Sequence, residues 1–222
     1  MKAMILAAGR GERMRPLTDH TPKPLLQIGK HRLIEYHLLH LATAGFKNIV
    51  INIAWLGKQI RETLGDGSTY GVNISYSDEG DSALETGGGI FNALHLLGDD
   101  PFLVVNGDIW TNYPYHTLRD HMPHGLAHLV LVNNPPHHPA GDFFLAHNKL
   151  VESGKEKFTF SGIGVYKKEF FAEEKKGAFP LAPMIRKFTK QGLITAELYQ
   201  GEWDDIGTVE RLQTRIKKQA PM

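Results

Sequence analysis

The sequence predicts an α/β protein: a three-layer, doubly wound, mostly parallel sheet, with a smaller antiparallel part embedded in its second half. Three observations carry this. Strand-like and helix-like segments alternate through the first 106 residues, and alternation at that spacing builds parallel β-α-β units. The second half is less regular, and its short β-rich segments suggest antiparallel strands. Hydrophobic residues at 41% and charged residues at 22% are globular values, which excludes a disordered chain.

Each element has a local reason. Residues 2–7 form an apolar run and read as a buried strand, and 31–44 as a helix with Leu33, Ile34, Leu38 and Leu41 at helical spacing. The β-branched NIVINIA at 48–54 reads as a strand. A helix over 55–64 is stopped by Gly65-Asp66-Gly67. Residues 72–77 are again a strand, 86–97 a helix and 101–106 (PFLVVN) a fully apolar strand. Beyond them, strands are expected at 126–132, 142–147, 149–152, 157–166 and 193–200, and helices at 180–189 and 209–219. No linker or internal repeat interrupts the 222 residues, which predicts one domain, 1–222.

Bulk properties narrow the partners. A net charge of +1 gives no global basic field, so nucleic acid is not expected. With no cysteine there is neither a disulfide framework nor thiol chemistry. No apolar run approaches the roughly 20 residues of a membrane span, and the start is too short for a signal peptide. A soluble, cytoplasmic protein is expected. The oligomeric state, monomer or homodimer, is left open.

The densest signal is residues 4–24, MILAAGRGERMRPLTDHTPKP. The strand empties into Ala7-Ala8-Gly9-Arg10-Gly11-Glu12, and the cations Arg13, Arg15 and Lys23 follow. Small residues let a backbone approach a phosphate chain closely, a turn's N–H groups form a concave anion site, and Arg and Lys supply counter-charge. The loop is neither a Walker A motif nor a dinucleotide fingerprint, whose third glycine would fall on Met14. An ordinary strand-to-helix glycine turn would look similar.

Two acidic turns stand out. Gly107-Asp108 follows an apolar strand, and Trp203-Asp204-Asp205-Ile206-Gly207-Thr208 precedes a helix. Mg²⁺ on a nucleotide takes one or two carboxylates, with phosphate and water completing the octahedron. A turn aspartate at 108 and a helix N-cap at 204 or 205 are the structural alternatives. Leu84-Glu85-Thr86-Gly87-Gly88-Gly89 opens a helix with three glycines, each worth roughly 1 kcal/mol against alanine in a helix interior. Close backbone approach to a ligand would explain them, and so would tight packing on the sheet. The twelve histidines hold no zinc pattern; His37 and His40 share a helix face and read as a surface pair. The cations of 211–218 (Arg211, Arg215, Lys217, Lys218) read as a solvated face.

Leu6-Ala7-Ala8-Gly9-x-Gly11-x-Arg13-Met14-x-Pro16-Leu17-Thr18 with Pro22-Lys23-Pro24 resembles the signature of sugar-1-phosphate nucleotidylyltransferases. The resemblance implies a Rossmann-like nucleotide-diphospho-sugar transferase fold. It implies that Ala7, Ala8, Gly9, Gly11 and Glu12 wrap a nucleoside triphosphate, that Arg13 activates the pyrophosphate leaving group and that Lys23 binds phosphate. V-x-G-D and W-x-D-x-G-T place the family's metal aspartates on Asp108 and Asp205, with Mg²⁺ as cofactor. The Gly87-Gly88 segment and Glu79 would read the base, and Asn106 would lie near ribose and phosphates. Gly141-Asp142-Phe143 and the strand with Gly162 look like the sugar side, with Asp142 as hydroxyl acceptor and Glu152 a further contact. Residues 1–113 would mainly bind nucleotide and 114–222 sugar phosphate. The compact length, LETGGGI and HHPAGDF look most like the uridylyltransferases that use UTP and N-acetylmuramate α-1-phosphate (MurNAc-1-phosphate) in wall recycling.

Overall fold

The structure, a computed structural model, describes residues 1–80 and 83–219. In chain order its elements are β1 (Ala3–Leu6), β2 (Gln27–Ile28), β3 (His31–Arg32), α1 (Leu33–Thr43), β4 (Asn48–Ile53), α2 (Gly57–Leu64), β5 (Asn73–Asp78), α3 (Glu85–Leu97), β6 (Phe102–Asn106) and β7 (Ile109–Thr111). There follow β8 (Ala127–Val132), β9 (Phe143–Ala146), β10 (Lys149–Val151), β11 (Lys157–Tyr166), α4 (Ala182–Lys190), β12 (Ile194–Tyr199), β13 (Trp203–Asp205) and α5 (Val209–Gln219). Every predicted strand and helix is present, with ends displaced by at most two residues.

One sheet of nine strands runs β5-β4-β1-β6-β11-β8-β12-β10-β9. Its first four strands are parallel. From β11 onward most pairings are antiparallel, with β8 and β12 the parallel exception. The chain leaves β1 toward β4 and β5, then returns to β1's other side as β6. That reversal makes the ends of β1 and β6 a topological switch point, where open α/β sheets bind ligands.

Side-chain alternation along the strands makes the three layers. Ala3 and Ile5 of β1 join Ile34, Leu38 and Leu41 of α1 in one core. Met4, between them, joins Ile90 and Ala93 of α3 and Met184 and Ile185 of α4 in the other. A third, smaller cluster puts Leu212 of α5 against Met14, Leu33, Trp110 and Ile206. The polar stretch after β1 is thereby anchored to the last helix.

Four short strands were not legible in the sequence. β2 and β3 pair with each other, and β7 pairs with β13. At two or three residues each, they are defined by their partners and carry no periodicity. The β2–β3 hairpin takes His31 and Arg32, so α1 starts at Leu33. Glu35 caps it by accepting the Arg32 N–H at 2.7 Å and bridging its guanidinium at 3.2 Å.

Two expectations are corrected. His37 is not a surface residue: it is 2% exposed on the core side of α1. Arg215 is 4% exposed, lies 3.2 Å over the Trp110 ring and bridges Glu202 and Asp204 at 3.0 Å each. Four cations within eight residues of a helix read as a solvated face until the strand that α5 packs on is known.

Burial, with a smaller push from His40, pulls the His37 imidazole down to about 4 from 6.5. Between those values the unfolded chain binds a proton that the folded chain refuses, so stability falls as pH drops from 6.5 toward 4. The slope from this one group approaches about 1.4 kcal/mol per pH unit within the window. Urea unfolding of His37→Leu at pH 7.5 and pH 5 should show a smaller acid loss than the parent, by about 2 kcal/mol; equal losses would refute it.

Candidate active site

The carboxyl end of β1 turns sharply. The Ala7 N–H donates to Asn52 Oδ1 at 2.8 Å, and Gly11 enters the left-handed region at φ +65°. A Cβ at Gly11 would lie 2.9 Å from Thr18 Cγ2, while Thr18 Oγ1 donates to the Gly11 carbonyl at 2.9 Å. Gly11 is therefore needed for both its backbone angle and its close packing. Beside Gly9 a Cβ would meet no protein atom. That space belongs to a cavity of about 460 Å³ lined by the whole 6–13 stretch together with Lys23, Glu79, Asn106 and Asp108.

The end of β6 stands directly beside this loop. Leu6 and Asn106 are register partners, and the Gly107 N–H donates to the Leu6 carbonyl at 2.9 Å. A Cβ at Gly107 would sit 2.4 Å from that oxygen, so only glycine lets the chain cross the end of β1 and deliver Asp108. Asp108 Oδ2 then accepts from Lys23 Nζ at 2.8 Å. The Lys23 side chain is largely buried, while the Asp108 carboxylate stays partly open to the cavity.

Asp205 arrives from the other end of the sequence. In the β7–β13 ribbon it is the register partner of Ile109, and the Ile206 N–H donates to the Asp108 carbonyl at 2.9 Å. Asp108, in the turn leading into β7, and Asp205, at the end of β13, thus stand side by side and line one cavity of about 330 Å³. Asp205 Oδ2 accepts from Arg211 at 2.6 Å and lies 3.4 Å from His137 Nε2. Its Oδ1 is buried with no hydrogen-bond partner. A buried carboxylate oxygen left unpaired is costly in this setting, and a cation is the group that would satisfy it. Among the described residues no three acidic or histidine side chains form a ready-made cage. Two carboxylates suit a cation that arrives with phosphate ligands.

The two cavities meet at Arg13, Asn106 and Asp108, which line both. Arg13 is the cation that faces each of them. The smaller cavity is floored by Phe160, Ser161 and Trp203. A bulge in β11 between Phe160 and Ile163 shapes that floor. There Ser161 accepts from Trp203 Nε1 at 2.9 Å, and Gly162, at φ +83°, lets Asn106 pack where a Cβ would lie 2.7 Å from its side chain.

Several predicted contacts fall elsewhere. Gly87 and Gly88 do not line either cavity: a Cβ would lie 2.6 Å from the Phe179 ring and 2.2 Å from the Gly177 carbonyl, respectively. The glycines let α3 press onto the 177–179 segment, which is the packing alternative. Gly162 serves Asn106 and lines neither of the two cavities that meet at Arg13. Glu152 lines a separate cavity of about 140 Å³ beside Arg186 and Lys190. Asp142 lines that one too, and both its carboxylate oxygens are engaged: Oδ1 lies 3.0 Å from His138 Nε2, and Oδ2 accepts the Phe160 N–H at 2.8 Å. Glu79 lines the large cavity, but its oxygens hold Asn52 at 2.6 Å and the Leu84 N–H at 2.8 Å.

Other site residues were missed. Asn52 ties β1, β4 and Glu79 together; one amide near the end of the apolar run NIVINIA was its signal. Glu85 faces the large cavity in a left-handed conformation, φ +58°, that a non-glycine residue adopts at a cost. Arg211 and His137 flank Asp205, and nothing local in the sequence pairs them with it.

The model of the nucleotidyl transferase family matches residues 2–220. An N-acetylmuramate alpha-1-phosphate uridylyltransferase of Neisseria meningitidis is 52% identical over 96% of this chain and 96% of its own. The Caulobacter vibrioides protein of the same name is 32% identical over 92% of this chain and 91% of its own. A Bacillus anthracis crystal structure assigned as a glucose-1-phosphate thymidylyltransferase superposes at a TM-score of 0.89, covering 100% of this chain and 97% of that one; at 23% identity it speaks for the fold alone. On the match over nearly its whole length and on these relatives, the chain belongs to the nucleotidyl transferase family, the sugar-1-phosphate nucleotidylyltransferases.

Proposed function

We propose that this protein transfers UMP from UTP to N-acetylmuramate α-1-phosphate, releasing pyrophosphate, in the cytoplasm as a step of wall recycling. The observation that carries the reading is the meeting of Asp108 and Asp205 where two cavities join at Arg13. The substrate pair is taken from the relative at 52% identity. The larger cavity, built mainly from residues 6–108, takes the nucleotide; the smaller, closed by residues 135–161 and 203–205, takes the sugar phosphate.

The sugar phosphate is already anionic near neutral pH, so its oxygen attacks the α-phosphorus without a general base. An O–P bond forms, the α–β bridging P–O bond breaks, and its electron pair leaves with pyrophosphate. The barrier is then one of bringing two polyanions together, and the chain meets it by positioning and charge. The 7–12 loop offers backbone N–H groups to the triphosphate, and Arg13 meets charge accumulating on the leaving group. Lys23 offers its charge beside Asp108 to the phosphate at the join. Enzymes of this family generally use a divalent metal. Asp108 and Asp205 would hold it as Mg²⁺, which supplies Lewis-acid polarisation of phosphate oxygens.

Pyrophosphate release measured with UTP, dTTP and GTP against a panel of sugar 1-phosphates should be fastest for UTP with N-acetylmuramate 1-phosphate. A faster mannose–GTP or glucose–dTTP pair would overturn the assignment, and no release from any pair would point to a binding module without chemistry. Arg13→Ala, on an exposed side chain, should keep the fold and lower turnover on the order of 10²–10³-fold; unchanged turnover would remove Arg13 from the reaction. Asp108→Asn and Asp205→Asn should each raise the Mg²⁺ concentration giving half-maximal rate. A parental Mg²⁺ titration in either variant would sink its metal role.

A further inference from the structure

N-acetylmuramate differs from its parent hexosamine by a lactyl ether, which adds a carboxylate. A sugar 1-phosphate of this kind brings a second anion into a cavity that already holds Asp108 and Asp205, so a site selective for it needs a cation away from that pair. Three basic side chains line the cavity: Arg13, His137 and His138. Arg13 is shared with the nucleotide cavity. His137 Nε2 faces Arg211, 2.7 Å away, and Asp205, so its ring is engaged beside the reacting phosphates.

His138 differs from both. Its Nε2 lies 3.0 Å from Asp142 Oδ1, and Asp142 Oδ2 is fixed by the Phe160 N–H. The backbone around it is pinned as well. The His138 N–H donates to the Pro135 carbonyl at 2.9 Å, and the Asp142 N–H to the Phe158 carbonyl at 2.9 Å. Asn134 ties the start of the loop to β11 through the Lys157 carbonyl at 2.8 Å and Thr159 Oγ1 at 2.9 Å. A loop held at both ends presents an imidazole whose second nitrogen, Nδ1, makes no hydrogen bond to the described residues. As imidazolium it gives one N–H to Asp142 and has one to give to a ligand.

We propose that His138, oriented by Asp142, recognises the additional carboxylate of the sugar and sets the preference for a carboxylate-bearing hexosamine phosphate over its neutral parent. This rests on the substrate reading above and assigns Asp142 as a positioning residue in place of a direct hydroxyl contact. The orienting carboxylate fixes the ring as second carboxylates fix histidines in metal and catalytic sites.

The test compares kcat/KM for UTP with N-acetylmuramate 1-phosphate and with N-acetylglucosamine 1-phosphate, which lacks only the lactyl group. His138→Ala should lower the first on the order of 10- to 100-fold, the range for a lost hydrogen bond between charged groups, and leave the second within about 3-fold. Asp142→Asn should shift the same ratio in the same direction, and His138→Lys should restore part of it by returning a cation. Melting temperatures of all three variants report whether the loop change disturbs the fold. Equal falls for both sugars, or an unchanged ratio, would overturn the assignment of His138. If the parent protein itself shows no preference for the muramate substrate, the substrate reading fails before any substitution is made, and this inference fails with it.

Discussion

Two carboxylates held side by side repel each other, and the site is organised around keeping Asp108 and Asp205 together. The β7–β13 ribbon fixes their backbones through the Ile206 N–H on the Asp108 carbonyl. Each carboxylate then has a basic partner of its own: Lys23 for Asp108 and Arg211 for Asp205. Lys23 reaches Asp108 across 85 residues of sequence, so that pair forms only in the folded chain, whereas Arg211 comes from the helix that follows Asp205. Two aspartates arranged this way keep anionic oxygens available without a local excess of negative charge that would expel a polyphosphate.

The nucleotide side depends on close approach of main chain. Gly11 accepts a left-handed turn, and Gly107 crosses the end of β1 at a distance no side chain tolerates. Asn52 joins the Ala7 N–H to Glu79, whose other oxygen holds the turn leading into α3. The loop is therefore preset before a ligand arrives, which lowers the ordering cost of binding. Glu85, at the mouth of α3, departs from local comfort with its positive φ, in keeping with strain concentrating at functional sites.

The sugar side is made differently. Its floor comes from the β11 bulge and from Trp203, and its wall from the 134–142 loop fastened to β11. Because β6 and β11 are neighbours in one sheet, the two cavities share Asn106 and Asp108 instead of facing each other across a hinge. Among the described residues no helix is long and apolar enough to cross a membrane.

The order of strands and helices was legible in the sequence because it follows from period and composition, which are local: the run 101–106 is a buried strand wherever it goes. The glycine loop with Arg13 and Lys23 was legible for the same reason, since its chemistry lies within one continuous stretch. Only tertiary structure decided what depends on partners distant in sequence. It made Gly87 and Gly88 packing surfaces against 177–179, sent Glu152 to another cavity and tied Asp142 to the Phe160 N–H. It also buried Arg215 on Trp110 and placed His137 beside Asp205. A residue's type sets which contacts it can make; which of them it makes is fixed by strand pairing and helix packing across a hundred residues, and neither leaves a trace in local spacing.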